Sequence, residues 1–144
     1  MEMKIDSYIK EQFDIKNVDV RTYSPLALAY IGDGVFDLVI RSLIVGKGNT
    51  KASQLHYQTS HIVKAETQAI IIEALENDLT EEEADVYRRG RNAKSPTMAK
   101  NAKMVDYRKA TGFEALMGYL YLKGDMERMI KLIRLGVEKA EVTL

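Results

Sequence analysis

Two carboxylates in this 144-residue chain stand out by their surroundings. Asp33 lies between Gly32 and Gly34 in Leu-Ala-Leu-Ala-Tyr-Ile-Gly-Asp-Gly-Val-Phe-Asp-Leu-Val-Ile, residues 26–40, which otherwise read as the middle of one long apolar helix. A glycine in a helix interior costs about 0.5–1 kcal/mol relative to alanine. Two of them bracketing an ionised side chain make sense if another backbone, a metal or a substrate must come close to Asp33. An aspartate among apolar neighbours has to be paired, protonated or metal-bound. Glu114, in Phe-Glu-Ala-Leu-Met-Gly-Tyr-Leu, is a lone carboxylate in a second apolar helix, with Gly118 one turn on to permit close packing. Taken singly, Asp33 also suits a local hydrogen-bond acceptor, and Glu114 suits the wet side of an amphipathic helix. Taken together, they suit a hard cation with oxygen ligands. Mg²⁺ keeps several waters and needs only one or two carboxylates plus phosphate oxygens. A cation so held can generate hydroxide and stabilise an in-line displacement at phosphorus.

Other chemistry is thinly represented. The chain has no cysteine, which excludes disulfides and thiolate metal sites and fits a reducing interior. His56 and His61 are five apart and do not share a helical face, so metal ligation is not expected of them. Tyr30 and Met98, Met104, Met117, Met126 and Met129 read as packing. No P-loop, dinucleotide fingerprint or nucleophile elbow is present.

The 21 basic and 21 acidic residues cancel, but they are not mixed. Over residues 66–87 every charged residue is acidic, whereas over residues 88–109 Asp106 alone opposes eight basic residues. A polyanion responds to the local field rather than to the whole-molecule sum. Arg88, Arg89, Arg91, Lys94, Lys100 and Lys103 therefore form a candidate phosphate-binding patch, with a solvated face as the plain alternative.

The elements that must position these residues read as helices throughout. Residues 2–13 form a short amphipathic helix with Ile5, Tyr8, Ile9 and Phe13 at helical spacing. Ser24 and Pro25 open the long helix as N-cap and first helical residue, and it runs to Gly46. Thr50 is expected to cap the next helix, with Leu55, Ile62 and Val63 on its buried side. Residues 65–76 contain three consecutive isoleucines, which also suit a buried strand, but their flanks are strong helix formers. Thr80 and Glu83 make a capping box for a helix ending near Arg88. Residues 89–103 lack apolar periodicity and read as a long basic loop. Pattern resumes near Val105, stops at Gly124, and restarts after Asp125 as a last amphipathic helix. The sum is an all-α fold of six to eight helices in a single domain, residues 1–144. Neither a signal peptide nor a membrane span is expected, so the location reads as cytoplasmic.

Residues 25–33, Pro-Leu-Ala-Leu-Ala-Tyr-Ile-Gly-Asp, the loop sequence Arg-Gly-Arg-Asn-Ala-Lys-Ser from Arg89, and Phe-Glu-Ala-Leu-Met-Gly from Phe113 resemble the catalytic domain of the ribonuclease III family, most closely its Mini-ribonuclease III branch. The likeness spans about residues 24–122. It implies an all-α endonuclease domain acting as a homodimer, each active site cutting one strand of an RNA duplex. It makes Asp33 and Glu114 catalytic, Mg²⁺-binding carboxylates and places Tyr30 at the dimer interface. Two further acids of the larger relatives fall at Ala29 and Thr111, a departure shared by the Mini-III branch. Those relatives append a double-stranded-RNA-binding domain, for which a chain ending at Leu144 is too short, so the basic loop would grip the substrate. The implied role is maturation of precursor 23S ribosomal RNA. Two other readings of the sequence stand beside this one: a non-catalytic RNA-binding relative on the same fold, and a helical interaction module whose basic loop grips an acidic protein.

Overall fold

The computed structural model describes residues 4–94 and 103–144, and the described residues form helices and connecting turns without strands. Seven α-helices follow in order: α1 (Ile5–Gln12), α2 (Pro25–Gly46), α3 (Ala52–Val63), α4 (Ala65–Leu75), α5 (Glu81–Asn92), α6 (Met104–Lys123) and α7 (Met126–Lys139). Short 3-10 turns lie at Val20–Thr22 and Glu76–Asp78.

Several starts and stops are set locally, as the sequence predicts. The Ser24 hydroxyl accepts from the Ala27 N–H at 3.1 Å and Pro25 opens α2. Thr80 and Glu83 close a reciprocal capping box on α5. Gly124 ends α6 with φ of 86°, a left-handed conformation that glycine adopts without penalty. Asp125 then caps α7 through the Arg128 N–H.

The core is assembled around α6, where Ala110–Phe113 and Ala115–Leu120 are all buried, the pattern of a helix enclosed on nearly every side. Leu28 of α2 meets Gly118 of α6, and Gly32 meets Glu114, so the two helices cross antiparallel. A methyl group on Gly32 would lie 1.7 Å from the Glu114 carbonyl oxygen, and one on Gly118 would lie 2.0 Å from that of Leu28. Here the helices touch main chain to main chain. One turn further, Phe36 and Phe113 pack edge-to-face at 5.1 Å, both wholly buried. From the other sides, α4 contributes Ile71, Ile72 and Leu75 and α7 contributes Met129 and Leu132. Of the three isoleucines, Ile70 alone faces out, which a helix explains and a doubly buried strand does not.

Three expectations need correction. α5 continues to Asn92, so Arg89 and Arg91 are helical rather than part of a loop. The buried contact there is made by Gly90 against Gly112 and Ala115, and residues that small leave no apolar periodicity to read. Thr50 does not cap α3; Lys51 occupies that position without a side-chain hydrogen bond. α1 is the short helix expected, with none of its residues buried and its apolar stripe of Ile5, Tyr8 and Ile9 exposed along with Phe13. Tyr30, read as packing, is 84% exposed because it lies on the side of α2 turned away from α6. Met117 and Met129 are buried and Met104 and Met126 are half-buried, while Met98 and Lys100 lie outside the described residues.

Candidate active site

The antiparallel crossing of α2 and α6 sets Asp33 beside Glu114. Gly32 removes the side chain that would hold the helices apart, and the next residue, Asp33, reaches the Glu114 carboxyl. This meeting of two acids, eighty-one positions apart in the chain, is the juxtaposition their types and settings predict. Asp33 is exposed and Glu114 is mostly withdrawn into the fold. Burial, and next the neighbouring Asp33 through a hydrogen bond and through charge, push the Glu114 carboxyl up to about 8.

The two glycines flanking Asp33 have different reasons. Gly32 is required by backbone contact with α6, whereas a methyl group on Gly34 would meet nothing within 4 Å. Within the chain, Gly34 has no packing role, and the surface beside Asp33 stays open at that point. One turn on, Asp37 is engaged with Arg41 at 2.7 Å. Ala29 is buried, and the Thr111 hydroxyl donates to the Tyr107 carbonyl of its own helix at 2.9 Å, so neither position adds a carboxylate. Among the described residues no group of three or more acids, histidines or cysteines is arranged to hold a metal ion by itself, and His61 packs edge-on against Tyr57.

A hard divalent cation fits this donor set. Both candidate ligands are carboxylates, and two of them in one recess, one driven to retain its proton, form a charge arrangement that a cation relieves. With two protein ligands, most of such an ion's coordination shell would be water and substrate oxygen.

One polar residue of the site carries no signal in the sequence. Gln68 of α4 is 1% exposed, and its amide nitrogen donates to the Val63 carbonyl at 2.8 Å and to Glu114 Oε2 at 3.2 Å. In sequence it reads only as a helix-forming flank to the isoleucines. Its carbonyl oxygen is buried without a partner.

The basic residues gather at the C-terminal end of α5 and the start of α6. Gly90 packs on Thr111 and Gly112, about one turn from Glu114 along α6. Folding brings the separate acidic stretch alongside: Glu66 pairs with Lys103 at 2.7 Å, Glu73 pairs with Lys109, and Asp85 lies 3.6 Å from Arg88. Arg91 rests over the Tyr87 ring and bonds Asn92. Arg89 and Lys94 make no ion pair among the described residues. The patch exists, but part of its charge is met by acids that the linear reading placed elsewhere.

Residues 26–125 match the family described as the ribonuclease III domain. A curated protein of Enterococcus faecalis named Mini-ribonuclease 3 is 46% identical over 127 residues, covering 87% of this chain and 96% of its own. Another of the same name from a Thermoanaerobacter species is 43% identical over 141 residues, covering 98% and 99%. A crystal structure of a Fusobacterium nucleatum protein superposes with a TM-score of 0.75 at 32% identity, covering 86% of this chain and 98% of that one.

Proposed function

The chain belongs to the ribonuclease III family and is an endoribonuclease, and from that premise we propose that it hydrolyses double-stranded RNA using Mg²⁺ held by Asp33 and Glu114. The observation that carries the proposal is the convergence of these two carboxyls at the α2–α6 crossing, beside an open surface. When bound, Mg²⁺ supplies the positive charge that activates water and offsets negative charge developing on the phosphodiester. Asp33 offers its oxygens from the solvent side, and Glu114 offers its own from the recess. Arg89, Arg91 and Lys94 take RNA phosphates at the basic end of α5. Arg88 and Lys103 exchange Asp85 and Glu66 for phosphates when RNA is present. Lys100 belongs to the same stretch, outside the described residues. Duplex RNA is read chiefly by shape, phosphates and 2′-hydroxyls, so sequence preference is modest.

The working unit in this reading is a homodimer of single catalytic domains, residues 1–144, in the cytoplasm, acting on precursor 23S ribosomal RNA. Tyr30, Leu38 and Val45 are exposed along one side of α2, an apolar stripe that a second subunit would cover. No helix among the described residues is long and apolar enough to cross a membrane. Being an endoribonuclease sets the chain apart from both the non-catalytic RNA binder and the plain helical interaction module.

The test is cleavage of a long RNA duplex at modest ionic strength with and without Mg²⁺. The parent is expected to cut only with the cation, and correctly folded Asp33→Asn and Glu114→Gln proteins are expected to bind the duplex without cutting it. Cleavage by both variants at the parent rate would remove the metal assignment.

A further inference from the structure

We infer that Gln68 is a positioning residue for Glu114: its amide, anchored on the Val63 carbonyl, holds one oxygen of that carboxylate where a divalent cation needs it. The inference rests on the proposed role of Glu114 as a cation ligand and adds the group that aims it. Val63 and Glu114 Oε2 both present acceptors, so the NH₂ end of the amide must face them; the reverse orientation would set oxygen against oxygen. Both amide protons are thereby spent. The anchor is main chain, because the break between α3 and α4 at Lys64, extended with φ −68° and ψ 155°, frees carbonyls at the end of α3. The first turn of α4 takes them up, Thr67 bonding the His61 carbonyl at 2.6 Å and Gln68 that of Val63.

The amide carbonyl of Gln68, buried with no partner, completes the argument. If packing alone decided the residue, an apolar side chain of similar size would fill the space without stranding an acceptor. The amide therefore has its use in what its nitrogen holds. With alanine at 29 and the Thr111 hydroxyl bonded within its own helix, neither contributes to fixing the Glu114 head group. Partners that orient metal ligands are worth about 10–100-fold in metal affinity.

The experiment uses Mn²⁺ as the probe, with the whole chain. Mn²⁺ binding is followed by the paramagnetic signal of the free ion, and the Mn²⁺ dependence of duplex cleavage is measured beside it. Gln68→Met, which fills the volume but cannot donate, is expected to weaken Mn²⁺ binding about tenfold or more and to raise the half-saturating Mn²⁺ for cleavage equally. Duplex affinity in EDTA is expected to stay at the parent value. Should Gln68→Met not fold, Gln68→Asn, whose amide is drawn back from Glu114 by one methylene, carries the same expectation. A variant that melts earlier but, while folded, binds Mn²⁺ like the parent overturns the inference, because only a packing role predicts that. Glu114→Gln separates the two levels. If it loses Mn²⁺ binding while the Gln68 variants keep it, the positioning role alone falls. If it binds Mn²⁺ like the parent, the ligand assignment falls and the inference with it.

Discussion

Glu83 and Glu114 are both withdrawn from solvent in the same bundle, yet they arrive at opposite states. Glu83, 5% exposed, receives the Arg128 guanidinium through Nε and Nη2 at 2.8 Å each, and the Thr80 N–H at 2.9 Å. The Arg128 hydrogen bonds outweigh burial and hold its carboxyl below the ordinary range. Glu114 has the Gln68 amide and a second acid for company, and burial pushes it up to about 8. Burial alone therefore does not fix the condition of a carboxylate; the counter-charge does. The α5–α7 contact carries its cation as a side chain, whereas the α2–α6 crossing holds none of its own, and in the proposed function one from solution would complete it.

The sharpest way to break that contrast is to neutralise each acid. Glu114→Gln is expected to lower duplex cleavage by about a thousandfold or more, since a bound cation contributes several kcal/mol to stabilising the reaction. Glu83→Gln is expected to leave cleavage by the folded protein near the parent level and to destabilise the fold by about 2–3 kcal/mol, because Arg128 loses its partner. Urea melts paired with single-turnover cleavage rates check both halves. Equal losses of activity from both variants would erase the distinction.

Next in size is the crossing itself. Gly32→Ala places a methyl group inside the van der Waals radius of the Glu114 carbonyl oxygen, and the helices can only answer by separating. A loss of about 3 kcal/mol or more is expected, with cleavage falling further than stability explains. Gly34→Ala meets open space and is expected to stabilise the isolated chain by about 0.5–1 kcal/mol. If it instead impairs cleavage or dimerisation, the room beside Asp33 is needed by RNA or by a partner subunit.

The two glutamates also impose opposite slopes on stability against pH. For Glu114, a folded value near 8 against 4.5 unfolded means the native state holds the extra proton, so the stability it contributes is complete below 4.5 and is lost as pH rises through 8. For Glu83, whose carboxyl is lowered on folding, the contribution is complete above 4.5 and is lost as pH falls through its folded value. Metal-free parent minus Glu114→Gln is expected to decline by about 2–4 kcal/mol between pH 5 and 9, and saturating Mg²⁺ should flatten the decline. A flat difference without metal would contradict the burial of Glu114.

The features legible in the sequence are those determined within a few residues. Ser24-Pro25, the Thr80 and Glu83 box, Gly124 and Asp125 mark helix ends because their partners lie within one turn. Asp33 and Glu114 were legible by another route, as charges set in apolar helices. Gln68 was not, since a glutamine is ordinary in a helix until its neighbours are known, and the same holds for Arg128, forty-five residues from Glu83. The helical state of Arg89 and Arg91 depends on Gly90 seating against Gly112, a contact between two residues without side chains. Tyr30 was misjudged because an apolar ring can face a core or an outer surface, and nothing local says which.

The contact of Gly32 with Glu114 and of Gly118 with Leu28 gives Asp33 and Glu114 an unusual gauge. Their spacing is set by peptide groups resting on peptide groups, the least deformable parts of the chain, rather than by rotamers that can shift. Residues elsewhere in the interior can change size or hop between wells, and this separation will hardly register it. The bundle can therefore wander in sequence while its two acids stay in step.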